Sequence, residues 1–232
     1  MILVKLILAH LIGDFFLQPR SWVENKIKKT WRSPALYIHV LIHILLIFLL
    51  FGDMSVWMPA LIIGFSHYLI DGLKVSFQTD DNQAFLFGVD QFLHVIVLIL
   101  VWINFWDVTP TLVQPDYFLV LLTGALFLTL PSSVIMQKVM SRWNVEIDEE
   151  NSKSLQGAGN YIGMLERLMI YIAILGGSLQ VIGFLLAAKS VFRFGDLTRT
   201  KDRKLTEYIL IGTLLSFLLA IITGLLTVQL LR

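Results

Sequence analysis

The sequence predicts an all-α, polytopic transmembrane bundle of about seven hydrophobic helices, and three observations predict it. Hydrophobic residues make up 56% of the 232 residues and Asp, Glu, Lys and Arg only 15%, where a soluble domain carries roughly 25% charge. Four segments (33–52, 117–137, 168–188 and 209–231) each run about 20 residues without a charge, the length a helix needs to cross a bilayer. Two more, 54–70 and 91–106, come close and are bounded by single aspartates. A net charge of +1 excludes a strongly basic nucleic-acid binder. The absence of cysteine excludes a disulfide framework, thiolate nucleophiles and thiolate metal ligands. So apolar a chain is not disordered.

The first element, 1–17, is short and carries Lys5, His10 and Asp14 in its apolar part. A cleaved signal would have its basic residues first and an unbroken apolar stretch next, so this segment is expected to be a retained first helix, tilted or partly spanning. The connection 18–32 holds Arg20, Lys26, Lys28, Lys29 and Arg32 against Glu24, which places it on the cytoplasmic side. The weakly charged connection around Asp53 then lies outside, 74–83 inside and 107–116 outside, so the first four helices alternate consistently.

The second half is in conflict. Connection 138–160 mixes Lys138, Arg142 and Lys153 with Glu146, Asp148, Glu149 and Glu150, while 189–204 is strongly basic, with Lys189, Arg193, Arg199, Lys201, Arg203 and Lys204. If 161–194 crosses once, these two connections fall on opposite sides and one offends the charge rule. Three resolutions are open: Gly176-Gly177 breaks the segment into a hairpin, the stretch around Pro131 is re-entrant, or the rule fails. The expected organisation is a four-helix polar-core membrane region, 1–110, followed by membrane helices with a basic cytoplasmic connection, 111–232.

All five histidines fall in the first 94 residues, inside hydrophobic segments. Each segment there carries one polar pair at i, i+4: His10/Asp14, His39/His43, His67/Asp71 and Asp90/His94. Residues so spaced share a helix face about 6 Å apart. Counted from the cytoplasmic ends, His10, His43, His67 and His94 all lie about eight to ten residues deep, at about 1.5 Å per residue. Asp14, His39, Asp71 and Asp90 lie about four to six residues deep, one helical turn nearer the interface. A lone aspartate at such depth costs roughly 2.5–3.5 kcal/mol. With no Lys or Arg at equal depth except Lys74 near the end of its helix, ordinary ion pairing is not expected to compensate three of them.

A divalent cation would compensate them, because it binds neutral imidazole and carboxylate together. The expected ligands are drawn from His10, Asp14, His39, His43, His67, Asp71, Asp90 and His94. Zinc suits this nitrogen and oxygen set, as one or two ions, with manganese or iron as alternatives. Asp14, Asp71 and Asp90 are the candidate catalytic carboxylates, a non-ligating one acting as base. Gln18, Lys74 and Gln91 stand beside the ligands and would orient them, or in the case of Lys74 hold an anionic substrate; capping and snorkelling are the plain alternative. A polar network that only fixes helix packing, or a proton path, is the competing reading of the whole cluster.

His10-Leu-Ile-Gly-Asp14-Phe-Phe-Leu-Gln18-Pro19, with His39-x-x-x-His43, His67-Tyr-Leu-Ile-Asp71-x-x-Lys74 and Asp90-Gln91-x-x-His94, resembles a bacterial integral-membrane family classed as a domain of unknown function. Later runs resemble it too: Gly163-Met-Leu-Glu166-Arg167, Lys189-Ser190-x-x-Arg193-Phe194 and Glu207-Tyr208-x-Leu-Ile-Gly212-Thr213. The resemblance implies an inner-membrane, multi-pass protein and brings no activity with it. His67-x-x-x-Asp71 is also similar to a short motif of membrane-bound metal-dependent hydrolases.

The expected function is therefore a metal-dependent hydrolase in the membrane, acting on an amphiphilic substrate, with the bilayer as its partner and no nucleic acid. Protein partners and oligomeric state are left open. A transporter, metal sensor or structurally metallated bundle is the alternative, although the apolar stretches 44–50 and 95–102 offer no ion path outward. A di-iron oxygenase would need more histidines than five. Ser132-Ser133 has no histidine after His94 to serve it. Glu166-Arg167, Lys189, Arg193 and Glu207 are expected to anchor helix ends or to meet a partner or an anionic lipid head group.

Overall fold

The computed structural model describes residues 1–106, 116–143, 158–199 and 203–232. Among these there are helices and turns and no strand. The chain forms α1 (Ile2–Leu11), a π-helical turn (Ile12–Phe16), α2 (Arg20–Lys29), α3 (Pro34–Phe51), α4 (Trp57–Phe77) and α5 (Gln83–Phe105). Then come α6 (Tyr117–Phe127), α7 (Leu130–Met140), α8 (Ala158–Leu175), α9 (Gln180–Arg199) and α10 (Arg203–Leu230). Glu146, Asp148, Glu149, Glu150, Lys153 and Lys201 lie outside the described residues, as do the side chains of Arg193, Arg199 and Arg203.

Six helical stretches are long and apolar enough to cross a membrane: Pro34–Phe51, Met54–Phe77, Gln83–Phe105, Tyr117–Met140, Ala158–Leu175 and Lys204–Leu230. A seventh is added if the bent pair Ile2–Phe16 and Arg20–Arg32 counts as one span. This is a multi-pass helical membrane protein. Helix α3 shows why the elements form as they do. Pro34 opens it where a missing N–H costs nothing, and Gly52 closes it in the left-handed conformation at φ 66°. Its inner stripe is Leu36, His39, His43 and Ile47, while Leu41, Leu45 and Leu49 stand exposed on the other side. A helix apolar on both faces is a membrane helix.

The chain divides into two compact units, Met1–Leu119 and Val120–Arg232. In the first, α3 packs on α4, α4 on α5, and α1 on α3 and α5. The inner stripes of these helices are divided by chemistry along their length. One end is an apolar core of Leu6, Ala9, Ile47, Val56, Ala60, Ile63, Leu98 and Val101. The other end holds the histidines and aspartates.

The connection 18–32 is not the loop its charge suggested. It contains α2, bent 85° from the helix before it, and Lys26 on α2 is buried. The preceding helix, Ile2–Phe16, is about 22 Å long at 1.5 Å per residue, short of a full crossing.

In the second unit the conflict over charge resolves. The chain breaks at Gly176–Gly177, with Gly177 at φ 68°, and α9 doubles back along α8. Glu166 and Lys189, each about ten residues from that turn, meet at 2.6 Å. The start of α8 and the far part of α9 therefore lie at the same end of the α8–α9 hairpin, so the single crossing that set the charge conflict is not what the chain makes. The stretch around Pro131 is not re-entrant, since α6 and α7 together make one span interrupted at Leu128 and Thr129. The core here is Leu128, Ile170, Tyr171, Ile174, Phe217 and Ala220.

Candidate metal centre

Four helices and the π-helical turn carry polar side chains into one buried cluster. His10 comes from α1, Asp14 from the π-helical turn, His39 and His43 from α3, His67 and Asp71 from α4, and Asp90, Gln91 and His94 from α5. His39, His43, His67 and His94 are each exposed by 1% or less. The π-helical turn widens the backbone where Asp14 sits, a distortion that recurs at functional sites. Next to it, Gly13 leaves the space that the His43 ring fills; a Cβ there would overlap the ring.

Asp14 is the hub. Its Oδ1 lies 2.9 Å from His43 Nε2, 3.3 Å from His39 Nε2 and 3.8 Å from His67 Nε2. Its Oδ2 accepts from Gln91 Nε2 at 2.9 Å and lies 3.9 Å from His10 Nδ1. The rings of His43, His67 and His94 form a row, with centroids 3.8 Å and 4.0 Å apart.

Hydrogen-bond logic fixes two of the tautomers. The amide nitrogen of Gln91 faces two carboxylates, Asp14 at 2.9 Å and Asp90 at 3.2 Å. That orientation turns its Oε1 to His10 Nε2, 3.3 Å away. A carbonyl oxygen only accepts, so His10 carries a proton on Nε2, and in the neutral ring this leaves a lone pair on Nδ1. That lone pair lies 3.3 Å from His67 Nε2. His94 Nδ1 donates to the backbone oxygen of Asp90 at 2.8 Å, which leaves its Nε2 bare. Nε2 of His94 is buried with no hydrogen-bond partner, as are Nδ1 of His39 and His67, Oδ1 of Asp90 and Nε2 of Gln18. Orphaned buried polar atoms are rare and call for an explanation.

Two ligand sets have atoms mutually within 4.8 Å: His10, Asp14, His43 and His67, and a second made of Asp14, Asp90 and His94. Ligands at about 2.05 Å from a tetrahedral zinc lie about 3.3 Å apart. In the first set, Asp14 Oδ1 lies 2.9 Å from His43 Nε2 and 3.8 Å from His67 Nε2, and His10 Nδ1 lies 3.3 Å from His67 Nε2, on either side of that edge length; His10 Nδ1 is 3.9 Å from the other oxygen, Oδ2. His39 and Asp71, also expected as ligands, belong to neither set. His39 Nε2 instead bridges Asp14 and Asp71, at 3.3 Å and 3.5 Å.

Ion pairing does compensate two of the aspartates, against the sequence expectation. Lys26 donates to Asp71 at 2.5 Å with both side chains buried, and Lys74 donates to Asp90 at 2.9 Å. Lys74 therefore holds a ligand-set carboxylate, and Gln91 orients His10. Lys26 escaped sequence reasoning because nothing in its run separates it from Lys28 and Lys29 until the 85° bend turns one face of α2 towards α4. Three carboxylates facing two ammonium groups leave one negative charge, centred on Asp14.

No curated protein and no solved structure is similar to the chain. All the residues of this cluster fall within residues 2–120, the stretch matched by the profile of DUF3307, whose members are described as proteins of unknown function, and the chain belongs to that family.

Proposed function

We propose that the amino-terminal unit binds one divalent metal ion inside the membrane and uses it as a hydrolase on a membrane-borne amphiphile. The ligands are His10, His43, His67 and Asp14. The observation that carries this reading is the approach of three imidazole nitrogens and a carboxylate oxygen, from α1, the π-helical turn, α3 and α4, to within 4.8 Å of one another. The fixed tautomer of His10 supports it, since Gln91 holds the far ring proton as a partner outside the ligand set does in metal sites.

Charge balance favours one ion and suggests its chemistry. With one uncompensated negative charge in the cluster, a dication would leave one positive charge, to be balanced by an anion from outside the protein. A metal of this kind brings the pKa of bound water towards roughly 7 and supplies the nucleophile. His39, between Asp14 and Asp71, is placed to receive or pass a proton. His94, with a bare Nε2, is a further ligand or a proton acceptor. The preferred metal is zinc, with manganese or iron as alternatives. Depth in the lipid, near the basic ends of the helices, favours an ester, amide or phosphoester of an amphiphile, in an inner bacterial membrane.

A second reading is favoured by the two lysine pairs. A protonated histidine beside Asp14 would also bring the cluster to neutrality, making it a structural polar network. Elemental analysis of the purified protein separates the two. About one zinc per chain in the wild type, lost in Asp14→Asn and His67→Ala, is the expected result. A metal-free wild type of full stability overturns the metal reading. Metal-dependent turnover of amphiphilic ester and phosphoester probes, lost with the zinc, tests the hydrolase. Zinc bound without turnover of any probe returns the site to a sensor or structural role.

A further inference from the structure

The second unit contains a buried cation that none of the chemistry above uses. Arg167 is exposed by only 3% and stands mid-way along α8, not at a helix end. Part of its work is structural. The break between α6 and α7 frees backbone carbonyls, and Pro131 has no N–H to give back. Arg167 Nε donates to Leu128 O at 2.7 Å and Nη2 to Thr129 O at 3.3 Å. Nη2 also donates to Ser133 Oγ at 2.7 Å, and Nη1 to Ser216 Oγ at 3.2 Å.

Every one of these acceptors is neutral. Among the described residues no carboxylate lies within 4.0 Å of the guanidinium, and neighbouring Glu166 is taken by Lys189 at 2.6 Å. Arg167 therefore has no ion-pair partner of its own among the described residues, at a depth where a lone arginine costs roughly 2.5–3.5 kcal/mol. Four of the five N–H donors are used, so one on Nη1 is left over. Nη1 lies against Gly163, where a Cβ would stand 3.2 Å from it.

Arg167, Lys189 and Gly163 line a cavity of about 790 Å³ between α7, α8, α9 and α10. That volume is within the usual range for a bound small molecule. Met136, Met140 and Leu185 give it an apolar wall, and Gln137, Tyr208 and Thr213 add polar groups to the lining. Ile162 and Leu165, also in the lining, are 54% and 59% exposed, so part of its opening is apolar, beside the exposed Asn160.

We propose that this cavity binds one anionic phospholipid, its headgroup phosphate against Arg167 and an acyl chain along the methionine and leucine wall. The unbalanced guanidinium supplies the charge selectivity, with its one spare Nη1 hydrogen free for a charge-assisted bond to a phosphate oxygen. Ile162 and Leu165 give an acyl chain an apolar way in from the bilayer. A soluble anion gains nothing from that wall, and a zwitterionic lipid carries a cation that the site repels.

The test is lipid retention by the full chain in maltoside micelles, read by native mass spectrometry, with phosphatidylglycerol and phosphatidylcholine supplied in equal amounts. The wild type should keep about one phosphatidylglycerol per chain, with at least tenfold preference over phosphatidylcholine. Arg167→Gln should lose that preference. Because Arg167 also ties down the helix break, a second variant fills the cavity and leaves the arginine in place. A Cβ at Gly212 meets only Met140, at 3.5 Å, so Gly212→Leu should keep the wild-type melting temperature and lower retention about tenfold. Equal retention of the two lipids, unchanged retention in a folded Gly212→Leu, or displacement of the lipid by millimolar inorganic phosphate would each overturn the proposal.

Discussion

Lys26→Met removes the ammonium that stands against Asp71 and keeps most of the aliphatic stem. At 2.5 Å and an effective dielectric of about 20, the gross attraction of this pair is about 7 kcal/mol. Desolvation of both ions offsets much of that, so the pair itself is worth far less than its Coulomb energy. Removing one partner is different, because it strands a buried carboxylate whose nearest remaining neighbour is His39 at 3.5 Å. The expected loss is about 3–5 kcal/mol of stability. The double variant Lys26→Met with Asp71→Leu removes both charges and should recover most of it. Thermal unfolding in detergent, followed by tryptophan fluorescence, measures all three proteins. Zinc adds a second axis: the single variant carries two uncompensated negative charges in the cluster instead of one, so saturating zinc should stabilise it more than it stabilises the wild type. A loss below about 1 kcal/mol in the single variant would mean that the pair behaves as an exposed one and that Lys26 does not set the charge of the site.

Gln91→Leu frees the Nε2 proton of His10 and should weaken zinc binding about 10- to 100-fold, as measured by competition with a zinc chelator, and it should also lower the apo melting temperature, since Asp14 and Asp90 lose a donor. Gly13→Val pushes a side chain into the space of the His43 ring and should lose zinc and about 1–3 kcal/mol of stability together, by elemental analysis and melting. Zinc retention should fall as pH is lowered, because imidazole must be neutral to ligate; retention that stays flat from about pH 8 to pH 5 would count against histidine ligands. In the second unit, Gly177→Ala places a Cβ at φ 68° and should cost about 1 kcal/mol in melting, with zinc content unchanged.

Much of this was legible in the sequence because a membrane suppresses polar residues so strongly. The uncharged runs gave the helices, and the i, i+4 pairs gave the inner stripe of each, since His39 and His43, or His67 and Asp71, have few reasons to be in lipid at all. What the pattern could not give was the path of the chain between helices. A charge count cannot tell a basic loop from a basic helix lying across the bundle, so it groups Lys26 with the cytoplasmic charges although it belongs to the cluster. In the same way local sequence makes Arg167 a helix-end anchor, because the carbonyls it serves are freed by a break near Pro131 that lies more than 30 residues earlier. Spacing also offered eight equal ligands. Rotamers and hydrogen bonds separate them, putting His10, His43 and His67 around Asp14 and leaving His39 between two carboxylates.

The lysine pairs sharpen the metal reading more than they weaken it. Without them, three carboxylates among neutral histidines would accept almost any combination of cations, including two metal ions. With Asp71 and Asp90 each held by an ammonium group, the cluster has room for one compensating positive charge at Asp14 and little more. A proton on one imidazole supplies that charge and closes the account, with no open valence and no reactivity. A divalent ion oversupplies it by one, and the excess must be met by an anion that the protein does not provide. Buried in lipid, that anion would have to come from water or from the acidic group of a substrate. On the proposed reading, the two lysine pairs would thus separate a site neutralised by a proton, which has no open valence, from one that holds a metal together with an outside anion.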